Sequence, residues 1–260
     1  KNTSGANNTA TGFYALFSNT TGYYNVGNGY NTLRLNTTGT NNTATGYAAL
    51  YSNTTGISNT AIGYYALNKN TTASFNTATG DYALNKNTIG TNNTASGYNA
   101  LSNNTSASGN IAFGSNALYT NTTGNYNSAL GYYTLYSNTT GGNNTAIGFK
   151  ALTSNTTGES NVASGYKALH DNTSGKYNAA TGFKALESNT SGESNVASGY
   201  QSLKDNTTGD YNIALGSFTL YENTTADHNI AIGYRAGYSI QTGDNNTIVG
   251  YAAGNTTVDV

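Results

Sequence analysis

The chain has no cysteine, proline, methionine or tryptophan, and very little charge. Without cysteine it can hold neither a disulfide framework nor a thiolate metal site. Charged residues make up 8% of the 260, with a formal net charge of −1. A nucleic-acid binder needs a basic face to displace counterions from phosphates, so this balance argues against nucleic acid as a partner. No apolar run approaches the roughly 18 residues needed to cross a bilayer, so no membrane insertion is expected of this segment. There is no signal peptide and no initiating methionine, and Lys1 enters in the middle of a pattern. The chain therefore reads as a mature product or a piece of a longer one. What is plentiful is glycine (32 residues), tyrosine (23), asparagine and threonine. Disorder usually combines low hydrophobicity with high net charge, whereas Asn, Thr, Gly and aromatics without charge suit a β-rich surface.

The arrangement is periodic. Residues 143–160 read NNTAIGFKALTSNTTGES, and residues 177–194 read YNAATGFKALESNTSGES. Taking the Asn that opens N-T-A-x-G as position 1, it recurs every 17 residues from Asn8 to Asn246, fifteen times without insertion or deletion. The consensus is N-T-A-x-G-Y-x-A-L-x-x-N-T-T-G-x-x. Position 5 is always Gly, and position 3 is Ala except at Gly27 and Ile248. Position 9 is Leu from Leu16 to Leu220 and then Gly237 and Gly254. Position 6 is aromatic except at Asp81, Ser115 and Ser217. Such constancy of length implies that each copy must stack on the next, since ordinary loops tolerate length changes.

Gly twice per copy, with abundant Asn and Thr, disfavours helix. Positions 2 to 6 alternate as a strand does, Ala and Gly on one face and Thr, Val, Ile and Tyr on the other. Positions 8 and 9 are expected to form a second short strand, and N-T-T-G at positions 12–15 is turn chemistry. One copy is then one coil of an all-β, parallel β-solenoid, with coils about 4.8 Å apart and like residues stacked in ladders. One Leu and one Tyr per coil offset little of the ordering of 17 residues, at roughly 1–2 kcal/mol each. The flat Ala/Gly face is therefore expected to be where several chains pack side by side. The regular array is expected over residues 1–228. Residues 229–260, which lose Leu at position 9 and the Asn-Thr pair of the turn, read as a cap or a transition to a further domain.

The NTAIG and NVASG units resemble the head repeats of trimeric autotransporter adhesins. That resemblance implies a left-handed β-roll of three chains. Over the whole 17-residue unit the repeat is similar to those of long bacterial surface proteins and phage tail-fibre-like proteins. The likeness runs from Asn7 to Gly254 and implies an extracellular or virion-surface fibre.

Chemistry is sparse. His170 and His228 have no partner constellation, so neither a catalytic nor a metal role is assigned, and no cofactor is expected. Glu159, Glu193, Asp210, Asp227 and Asp244 recur at position 16, too thinly for a Ca²⁺ site, which takes six to eight oxygens. The sequon N-T-[TS] at position 12 offers candidate glycosylation sites at Asn19, Asn36, Asn53, Asn70, Asn104, Asn121, Asn138, Asn155, Asn172, Asn189, Asn206 and Asn223, with Asn2 in the partial leading copy. The plainer reading of the same residues is an Asn ladder that closes the turn. The Thr row carries a further reading, ice binding, through a distant resemblance of NTASG and NVASG to grass antifreeze repeats. Taken together, the pattern points to a non-enzymatic structural repeat protein, a homotrimer or head-to-tail filament of an extracellular fibre or adhesin. The alternative is a module whose Tyr-Asn-Thr surface binds glycans.

Overall fold

The structure is a computed structural model and describes residues 2–255. Lys1 and residues 256–260, the outermost parts of the expected array and cap, lie outside it. The described residues form fifteen parallel strands and no helix. The chain divides into two compact units, residues 1–127 and 128–260. The first carries β1 (Thr9–Thr11) through β7 (Ile111–Phe113), and the second β8 (Ser128–Leu130) through β15 (Thr247–Val249). Each unit is a parallel β-solenoid of 17-residue coils. Every strand covers positions 2–4 and pairs with like residues one coil on, as Thr43, Ala44 and Thr45 do with Thr60, Ala61 and Ile62.

The expected second strand is replaced by a turn. Its backbone takes positive φ at positions 7 and 9, for example 54° at Tyr65 and 49° at Leu67. The reason lies in the core. Ala66 and Leu67 are both fully buried, and a strand cannot turn two consecutive side chains the same way. A left-handed residue can, although it costs a non-glycine side chain roughly 1–2 kcal/mol. The turn still donates as a ladder does, from the Leu67 N–H to the Ala83 carbonyl (3.0 Å) and from Lys69 to Asn85 (3.0 Å).

The face expected to receive other chains is turned inward. Ala44, Ala61, Ala78 and Ala95 in the first unit, and Ala146, Ala163, Ala180 and Ala214 in the second, are wholly buried within their own chain, against the Leu column of position 9. The Ala side of the strand is therefore core, and the side that meets solvent carries positions 2, 4 and 6. Position 5 is Gly for two reasons. Gly165 has φ +138°, and a Cβ there would stand 2.4 Å from the carbonyl oxygen of Gly182 in the next coil.

Two columns of asparagine complete the interior. At position 1, Asn42 donates from Nδ2 to the Asn25 Oδ1 (3.1 Å) and to the Gly56 carbonyl (2.8 Å). At position 12, Asn53 donates to the Asn36 Oδ1 (2.8 Å) and to the same Gly56 carbonyl (3.0 Å). One carbonyl thus ties positions 1, 12 and 15 together and closes the coil. A buried amide is costly only when its donors and acceptors are unmet, and the ladder meets them.

The last coils change this interior. Ile240 replaces the position-12 Asn, and the Oδ1 of Asn223 accepts instead from the Ala226 N–H (3.2 Å). The Ile248 side chain reaches into the space that Leu leaves at position 9, where a Cβ on Gly254 would meet its Cδ1 at 3.0 Å. At the other end Ala10 is exposed, and an open cleft of about 340 Å³ is lined by Asn8, Ala10, Ala15 and Leu16.

Candidate functional site

With Ala, Leu and Asn committed to the interior, what remains for function is the outward strand face and its two borders. The face has three rows, at positions 2, 4 and 6. In residues 1–127 the first row runs Thr43, Thr60, Thr77, Thr94 through four successive coils, with Thr45 and Thr79 beside it. In residues 128–260 the same rows become richer in aliphatic side chains, interspersed with Ser128, Thr145, Ser164, Thr181, Ser198 and Thr247. Val162, Val196, Leu215, Ile230 and Ile232 are exposed and Ile213 is half-buried.

Position 6 forms an aromatic row. Tyr30 and Tyr47 stack with ring centroids 5.0 Å apart and planes at 12°, and Tyr47 and Tyr64 at 5.3 Å and 25°. In the second unit Tyr132, Phe149, Tyr166, Phe183 and Tyr200 follow one another at 5.0–5.6 Å. The strand spacing sets this distance, and stacked rings at such separations attract. Each inner ring has a neighbour on both faces, so the row offers solvent its edges.

The borders of the face carry charge in the second unit. After the strand come Lys150, Lys167 and Lys184 at position 7, lying over Phe149, Tyr166 and Phe183 at 5.5–6.0 Å. Glu187 pairs with Lys184 (3.2 Å) and Lys167 (3.7 Å). Before the strand stand the acidic residues of position 16. Their carboxylates accept from the coil before, Asp210 from the Glu193 N–H (2.6 Å) and Asp227 from the Asp210 N–H (2.7 Å). Glu159 is paired with Lys176 at 3.6 Å.

Twelve of the thirteen candidate glycosylation residues are off the surface. Asn19 through Asn223 at position 12 are buried, with Nδ2 engaged in the ladder just described. In the folded chain they close turns and present no free amide. Asn2 alone among the thirteen candidates is exposed, and it donates to the Gly5 carbonyl. His170 pairs with its neighbour Asp171 at 2.6 Å, and His228 stacks on Tyr211 at 5.1 Å. Among the described residues no three His, Asp or Glu side chains gather as a metal site.

Sequence reasoning overlooked the aliphatic patch of residues 128–260. The signal was present, as β-branched residues at positions 2 and 4 that vary while position 3 stays Ala. No protein-family model, no curated protein and no solved structure matches this chain.

Proposed function

We propose that this chain is a structural repeat protein of an extracellular fibre or adhesin, and that its partner is further copies of itself. The observation that supports this reading is the outward face of residues 128–260. It is rich in exposed aliphatic side chains, with lysines along one border and, apart from Lys176, carboxylates along the other. Exposed apolar patches of this kind mark association surfaces. A neighbouring copy running parallel and in register would bring its position-16 border beside the position-7 border of the first, Glu193 near Lys184 and Asp244 near Arg235. An antiparallel neighbour would face like charge with like. Parallel association accommodates the trimer implied by the adhesin resemblance, with the outward strand face in the role first expected of the Ala face.

Light scattering on the purified chain tests this. A mass of two or three times 26.9 kDa, returned to the monomer value by Ile213→Asn with Ile232→Asn, supports it. A monomer at all concentrations would overturn it.

A second reading is favoured by one observation in residues 1–127. Four outward threonines in line at the coil spacing, Thr43 to Thr94, form the kind of flat hydroxyl and methyl row that ice binding requires. Inhibition of ice recrystallisation, abolished by Thr60→Lys with Thr77→Lys, is the expected result under that reading.

A further inference from the structure

We infer that the tyrosine cluster of residues 30–82 is a site of oxidative cross-linking, in which Tyr47 couples to Tyr30 or Tyr64 and staples adjacent coils. The inference starts from the ladder. Copies at a fixed 17-residue spacing hold Tyr30, Tyr47 and Tyr64 ring over ring at 5.0 and 5.3 Å. Each is about two-fifths exposed, so a dissolved oxidant can reach it. Tyr65 and Tyr82 extend the group. Their rings lie 5.4 Å from Tyr47 and Tyr64 respectively, Tyr64 and Tyr65 are 4.6 Å apart, and Tyr65 and Tyr82 stack at 5.9 Å. An oxidised ring in such a group always has a second phenol in contact; Tyr47 and Tyr64 each touch three, and Tyr47 alone has a tyrosine stacked on both faces.

The molecule contains its own contrast. In the row from Tyr132 to Tyr200, Phe149 and Phe183 alternate with tyrosine. Successive phenols there are two coils apart, roughly 10 Å, too far for one ring to couple to the next. Tyr132, Tyr133 and Tyr136 lie at 4.4 and 4.7 Å but within one coil, so coupling among them would join no two coils, and Tyr221–Tyr238 and Tyr234–Tyr251 stack at 5.0 and 5.4 Å only as pairs.

The chemistry needs a one-electron oxidant, here a haem peroxidase with hydrogen peroxide. Each of two phenols gives up one electron to the enzyme and its proton to water. The two phenoxyl radicals join ortho carbon to ortho carbon, and the hydrogens on those carbons move to the oxygens to restore the phenols. Two hydrogen atoms leave the protein, and one peroxide becomes two waters. Because Tyr47 belongs to three successive tyrosines in one row, coupling is concentrated there, and the product links one coil to its neighbour within the same chain.

The experiment treats the whole folded chain with peroxidase and one equivalent of peroxide, then reads dityrosine fluorescence, intact mass and cross-linked peptides. The expected result is a monomer lighter by two hydrogens, with Tyr47 joined to Tyr30 or Tyr64, and no such product from the urea-denatured chain. Tyr47→Phe keeps the aromatic row, and its circular dichroism is compared with the parent. The Tyr47–Tyr30 and Tyr47–Tyr64 cross-linked peptides should vanish and the intramolecular dityrosine should fall to what Tyr64, Tyr65, Tyr82 and the isolated pairs supply. Unchanged yield in that variant, coupling spread evenly over the isolated pairs, or coupling only between molecules would each overturn the proposal.

Discussion

Residues 1–127 and 128–260 have the same interior and different exteriors. Both units bury Ala at position 3, Leu at position 9 and Asn at positions 1 and 12, down to matching ladder distances of 2.8 Å for Asn36 and Asn172. Outside, the first unit is Thr-rich on its strand face and nearly without charge, while the second is more aliphatic there and carries most of the chain's charged residues. The lesson is that stacking constrains a residue only where its neighbours lie above, below and behind it. A side chain on the outward face has one free direction and can vary, so any division of labour between the units belongs to positions 2, 4, 7 and 16.

If so, changes to the interior should not distinguish the units. Gly97→Ala and Gly165→Ala should each cost about 4 kcal/mol or more, because left-handed strain adds to a collision with backbone that cannot move aside. Chemical denaturation should find them equally severe, and a mild result in one unit would break the symmetry. Leu84→Ala and Leu169→Ala should come next, at about 2–5 kcal/mol each, since each opens a cavity in a column one residue thick. Asn70→Ala and Asn172→Ala should cost about 1–3 kcal/mol, because the Oδ1 of the coil before loses a donor and stays buried. Loss of protection in hydrogen exchange, centred on the substituted coil, would locate the damage.

The smallest effect is alkaline. The Tyr64 phenol is raised above its ordinary 10.0 by crowding that strips water from it and by the neighbouring Tyr82. The Tyr133 phenol is raised chiefly by Tyr132. A raised phenol holds its proton longer folded than unfolded. Its contribution is therefore complete below the ordinary value and is lost as pH rises through and above it. Thermal midpoints recorded across that window should fall, and should fall less in Tyr64→Phe and in Tyr133→Phe.

The period, a strand beginning at position 2 (expected to run to position 6 and ending at position 4), the turn at N-T-T-G and the asparagine ladder were legible in the sequence, because each shows as a recurring residue type at one place in the copies. Two features were not read correctly. Ala44 and its equivalents were assigned to the wrong side of the coil, since a small residue suits a close neighbour whether that neighbour is another chain or the chain's own Leu67. Constancy was the available clue, as position 3 hardly varies while Thr60 gives way to Val162 or Ile213. The turn at positions 7–9 was hidden for another reason. Leu with positive φ is rare enough that no local preference announces it, and only the need to bury Ala66 and Leu67 together explains it.

The bonds of these ladders join a residue to its counterpart one coil away or to near neighbours of that counterpart. Inheritance meets a simple arithmetic in such an object. A duplication or loss of one whole copy leaves every surviving residue with a partner of the kind it had before. A single inserted residue behaves like a dislocation in a crystal, shifting each row against the next across one boundary. The gene can therefore lengthen or shorten its product freely, but only in complete coils, and that restriction by itself would keep a 17-residue period intact over any number of generations.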